Sequence, residues 1–119
     1  MGVWRVMDVH EFLQRGEAWE AGLRVDGVFL RRLKVRSMNA RMVEIDVDET
    51  ILSMNGKRKR SAWTWKVWRN ELKHELVWCR KSKEEAIERV EAVLKNHKIR
   101  EEKLHELLAV LKHGREGGV

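Results

Sequence analysis

The chain has no proline, no tyrosine and a single cysteine among its 119 residues. One cysteine, Cys79, rules out an intrachain disulfide and a structural zinc site, and it points to a reducing, cytoplasmic compartment. No apolar run approaches the roughly 18 residues of a membrane span, and the start, Met-Gly-Val-Trp-Arg-Val-Met-Asp, lacks the apolar stretch of a secretory leader. No Gly-rich phosphate loop, nucleophile elbow or His-Glu-x-x-His is present, and the five histidines (His10, His74, His97, His105, His113) show no tight metal spacing. No cofactor is implied. A charged fraction of 37% with a single glutamine leans towards a thermophile, against which the absence of proline counts.

What the chain does have is concentrated. Four of its six tryptophans (Trp63, Trp65, Trp68, Trp78) lie between Lys57 and Arg80. From Lys57 to Lys83 there are ten bases against two acids, whereas residues 1–56 and 84–119 are each −1, so this segment carries the whole net charge of +6. Bases alternating with indoles suit a single-stranded nucleic acid: cations follow the phosphates and flat rings stack on bases, at roughly 1–3 kcal/mol per base. The plainer reading is a pair of core strands with buried tryptophans and with Lys and Arg guarding an exposed edge.

Length predicts one domain, with a helix-and-sheet region at 1–82, a helical region at 83–113 and a flexible tail at 114–119. Gly2 to Met7 reads as a short strand or a lead-in. Asp8 and Glu11 form a capping box for a helix from Val9 to Ala21, stopped at Gly22. Val25 to Arg36 predicts a strand with Phe29, Leu33 and Val35 on one face and Arg32, Lys34 and Arg36 on the other. Arg41 to Asp48 alternates Val43, Ile45 and Val47 with Glu44, Asp46 and Asp48, and Asn55-Gly56 signals a hairpin. Two strands follow, Ser61–Arg69 and Lys73–Arg80. The first puts Trp63, Trp65 and Val67 in the core with Leu33 and Val35, and Lys66 and Trp68 on the open face beside Arg32 and Lys34.

Ser82 to Glu85 is a second capping box. Beyond it the chain reads as one helix with a polar waist or as two broken near Asn96-His97-Lys98, with the break favoured. Leu104, Leu107, Leu108 and Leu111 offer more apolar surface than a small sheet needs, which predicts a homo-oligomer, a dimer or tetramer. The fold expected is therefore α+β: an antiparallel sheet of four to five strands, one N-terminal helix and one or two C-terminal helices. The nucleic-acid face would comprise Arg32, Lys34, Arg36, Arg58, Arg60, Lys66, Trp68, Trp78 and Arg80.

Two other functions compete. A protein assembly module would use the tryptophans and the Leu-rich helix for contacts. A metal-dependent nuclease would use Asp46 or Asp48 with Glu71-Leu72-Lys73, a loose Asp…Glu-x-Lys pattern that arises easily by chance in so charged a chain. The expectation is a non-enzyme, with single-stranded DNA or RNA as partner and no membrane. In layout — N-terminal helix, antiparallel sheet rich in Trp and base, Leu-rich helical end — the chain resembles the ThermoDBP group of archaeal single-stranded DNA-binding proteins. That resemblance implies a sheet cleft for single-stranded DNA, with Arg32, Lys34, Lys66, Trp68 and Trp78 at the matching places, and helical oligomerisation.

Overall fold

A computed structural model describes residues 7–94 and 101–113. The N-terminal lead-in, the Asn96-His97-Lys98 junction and the tail from Gly114 lie outside the described residues.

Helix α1 (Val9–Arg15) starts as its cap predicts, with the Glu11 amide donating to Asp8 Oδ1 at 2.7 Å. It stops seven residues before Gly22. Gly16 takes φ 74°, which a side chain would resist, and its amide closes onto the Phe12 carbonyl at 2.7 Å. The next eight residues form strand β1 (Glu17–Arg24), where a helix was expected. Its Glu, Ala and Gly are poor strand formers, so pairing with the next strand decides the matter over local preference.

Strands β2 (Gly27–Met38), β3 (Met42–Ser53) and β4 (Arg58–Trp68) complete an antiparallel meander in chain order. The β3–β4 turn sits at the predicted Asn-Gly, with Gly56 at φ 88° and the Asn55 side chain accepting the Lys57 amide. After β4 comes a 3₁₀ turn (Arg69–Glu71) and the short helix α2 (Leu72–Glu75), in place of the expected strand Lys73–Arg80. Leu72, Leu76 and Cys79 explain the difference. They recur at helical spacing and all are fully buried. Of the expected strand only Arg80 reaches the sheet, in an isolated bridge to Trp19.

Helices α3 (Lys83–Leu94) and α4 (Glu101–His113) follow and pack against each other. The α3 cap is the predicted one, Ser82 Oγ accepting the Glu85 amide at 3.1 Å. The architecture is thus α+β, with a four-stranded antiparallel sheet among the described residues.

The strands are long enough to carry two cores on opposite faces. On one face Ala18, Leu33, Val43, Ile45, Val47 and Val67 pack beneath Phe12 of α1 and Leu72, Leu76 and Cys79. On the other face, nearer the opposite end of the strands, Ala21, Val28, Leu30 and Leu52 pack beneath Ile87, Val90 and Leu94 of α3 and Leu107, Leu108 and Leu111 of α4. The leucines expected to join copies of the chain are therefore spent inside it: Leu107, Leu108 and Leu111 are at most 4% exposed, and Leu104 is half-buried against them. Among the described residues, the helices leave part of each face uncovered, Trp63 on one and Lys66 and Trp68 on the other being exposed.

Candidate nucleic-acid interface

Strand β4 ends the sheet, and among the described residues nothing pairs with its outer side. Its eleven residues, Arg-Lys-Arg-Ser-Ala-Trp-Thr-Trp-Lys-Val-Trp, contain four bases and no acid. The register puts Trp63, Trp65 and Val67 opposite Val47, Ile45 and Val43, the face expected for them. Their depth differs from expectation. Val67 is buried and Trp65 half-buried against the first core, but Trp63 is 43% exposed, because it stands where the helical cover ends. The Arg31 guanidinium lies 5.9 Å from its ring centroid. On the other face Lys66 and Trp68 are open as predicted, Trp68 at 50%.

The open face beside Lys66 is less basic than its cations suggest, because the β3 acids stand between the bases of β2 and β4. Arg36 approaches Asp46 at 3.4 Å and Thr64 Oγ1 at 3.2 Å, Lys66 lies 3.7 Å from Glu44, and Arg60 lies 4.0 Å from Asp48. A bulge between Val35 and Ser37 gives Arg36 its reach. Arg32 pairs with Glu17 at 2.6 Å and covers the Trp19 ring at 5.6 Å. The hydrogen bond from Arg32 holds the Glu17 carboxyl below its ordinary range, against the opposing effect of burial. Lys34 is exposed and makes no ion pair with a described residue. Such solvated pairs contribute at most about 1 kcal/mol each, so a phosphate displaces the carboxylate at small cost.

At the far end of β4, Trp68 borders a pocket of about 530 Å³ with Ala40, Arg41, Arg69, Asn70 and Glu71. The β2–β3 turn shapes one wall, where Asn39 Oδ1 accepts the amides of Arg41 and Met42 at 2.8 and 2.9 Å. The Arg69 amide donates to the Arg41 carbonyl at 2.8 Å, and Arg69 Nη1 donates to the Asn39 carbonyl at 3.1 Å. Arg41, Arg69 and Asn70 escaped the sequence reading. Their one signal was position, as the residues bounding the ends of predicted strands.

The remaining predicted residues lie elsewhere. Arg58 borders a groove against α4 with Leu52, Lys103, Glu106, Leu107 and Val110. Trp78 and Arg80 sit by β1, three strand spacings or about 14 Å across the sheet from β4. Trp78 is 55% exposed beneath the Arg89 guanidinium, 4.7 Å from the ring centroid. Arg80 is a correction. It is 6% exposed, with Nη1 donating to the carbonyls of Cys79 at 2.7 Å and Val77 at 3.3 Å, so its cation is spent closing a turn. Burial, then the nearby Arg89, lowers its pKa.

No family model, curated protein or solved structure matches the chain. The geometry therefore stands by itself. Among the described residues no three His, Cys, Asp or Glu come together at a possible metal position, and Asp46 accepts hydrogen bonds from Thr64 and Arg36. Cys79 is fully buried and burial pushes its thiol up to about 12, which removes it as a nucleophile near neutral pH. No helix among the described residues is long and apolar enough to cross a membrane.

Proposed function

We propose that this chain binds single-stranded nucleic acid along β4, with Trp63 and Trp68 as stacking platforms and Lys59, Arg60, Lys66 and Lys34 following the phosphates. The observation that carries the reading is the edge strand without an acid, whose two exposed indoles, one on each face, are 43% and 50% exposed. An indole at a sheet edge costs less when buried against a partner, and every base offers a π-face to it. Four bases without an acid also oppose pairing of β4 with its own copy, so the open edge is kept from self-association while attracting a polyanion.

A titration tests this: an unstructured oligo-dT should quench tryptophan emission with salt-sensitive affinity, and a duplex of equal length should bind more weakly. Equal binding of both, or no quenching at any protein concentration, sinks the proposal. The assembly reading keeps one specific support at the other edge. There Leu23, Trp78 and Val93, each at least 41% exposed, line a groove of about 290 Å³ with Phe29. A homo-oligomer would find exposed apolar side chains there, whereas Leu107, Leu108 and Leu111 of α4 are already buried within the chain.

A further inference from the structure

The pocket beyond Trp68 has a composition the strand face does not explain. An open indole forms one side, and a guanidinium, an amide and a carboxylate (Arg41, Asn70, Glu71) line the rest. All three side chains are exposed, and none has a hydrogen-bond or ion-pair partner among the described residues. On the β4 face, by contrast, Glu44 and Asp48 each have a base within 4.0 Å. Glu71 has none, although Arg41 and Arg69 line the same pocket. A carboxylate placed near an aromatic platform and two cations is poorly suited to a phosphate alone, which it repels. It suits a ligand that presents hydrogen-bond donors beside a flat ring and an anion further off.

We infer that this pocket takes one guanine nucleotide of a bound single strand. Its base stacks on Trp68, its N1–H and N2–H₂ donors meet the Glu71 carboxylate, and its phosphate lies towards Arg41. Guanine is the base whose Watson–Crick edge offers two adjacent donors, and a carboxylate has two acceptor oxygens to meet them. Thymine presents one donor between two acceptors and is disfavoured there; Asn70, donor and acceptor both, accommodates the guanine O6. The volume of about 530 Å³ is ample for a nucleotide. This inference deepens the proposed function and rests on it for the approach of the strand, but the pocket itself is testable with a mononucleotide.

The experiment uses the full chain, with tryptophan emission as readout, and two probes: GMP against TMP, and a dT oligomer with one central dG against all-dT. GMP should quench where TMP does not. The dG oligomer should bind about fivefold or more tighter, the low end of what a two-bond base contact discriminates. Glu71→Gln should remove that preference, any gain in affinity from the lost negative charge being shared equally by all-dT and the dG oligomer, and Trp68→Ala should abolish the GMP response. If all-dT binds but GMP and the dG oligomer show no advantage, the guanine pocket is wrong and the β4 reading survives. If GMP binds through Glu71 but no oligomer does, the pocket is right as a mononucleotide site and the strand reading falls. If nothing binds, both fall.

Discussion

The two edges of the sheet are finished in opposite ways. At β1 the edge is tied off by protein. Trp19 and Arg80 exchange backbone hydrogen bonds at 2.8 and 2.6 Å, Cys79 is sealed beneath, and α3 packs along the strand. This closure costs the burial of Arg80, whose Nε has no partner among the described residues. At β4 no described residue pairs with the outer side, and four bases without an acid line it against unwanted pairing. An edge closed by its own chain is committed to stability, while an edge guarded only by like charge remains available to a ligand of the opposite charge. The tryptophans follow the contrast only in part: Trp78 at β1 is held under Arg89 and Trp63 at β4 lies beside Arg31, while Trp68 at β4 has no cation within stacking range among the described residues.

The largest effect that would break this contrast lies under β1. Ile87→Ala, at a fully buried site of α3, should cost about 2–5 kcal/mol in urea unfolding and leave oligo-dT affinity of the folded protein unchanged. A loss of affinity without a loss of stability would place binding at the β1 side.

Next is Cys79. Its thiol stays protonated in the fold to about 12, against an ordinary value of 9.0. Because the folded pKa is raised, its contribution is fully present below pH 9 and is lost as pH rises towards 12. The decline should amount to at most about 4 kcal/mol, three units at 1.36 kcal/mol each. Cys79→Ala should flatten the alkaline limb of a stability–pH profile; an unchanged limb would mean that the thiol is not sealed.

At β4, Trp63→Ala should weaken oligo-dT binding by about 1–3 kcal/mol with little change in unfolding midpoint, whereas Trp78→Ala should leave the affinity as it was. Isothermal titration separates them, and the reverse order would exchange the roles of the two edges. The smallest effect belongs to single cations. Lys59→Ala should reduce the slope of log affinity against log salt by about 0.7, one phosphate contact on a single strand. No change in slope would remove Lys59 from the path of the backbone.

Much of this frame was legible in the chain, and the failures have physical causes. Asp8 and Ser82 announced their helices through cap chemistry that is local in sequence, and the alternation of Val43, Ile45 and Val47 announced β3. Strand β1 was hidden because Glu17, Ala18, Ala21 and Gly22 carry no strand preference of their own, and partners on β2, from Phe29 to Lys34, hold them in place. The segment after β4 misled because its Trp and bases continue the strand's composition, while the helical spacing of Leu72, Leu76 and Cys79 is short. Parity gave the face of Trp63 correctly but says nothing of how far α1 and α2 extend over it. Parity also grouped Arg32, Lys34 and Arg36 without revealing that the register sets Asp46 and Asp48 among them. The pocket at Trp68 joins two loop ends 28 residues apart, Ala40 to Trp68, and only the folded sheet brings them together.

The proposed nucleic-acid edge is β4 and not β1. Hydrogen exchange of the amides with and without saturating oligo-dT reads both edges in one experiment. The account predicts slowed exchange confined to residues 58–71, with 17–24 and 77–94 unchanged. Protection concentrated at 17–24 and 77–94, or none anywhere at saturation, would contradict it.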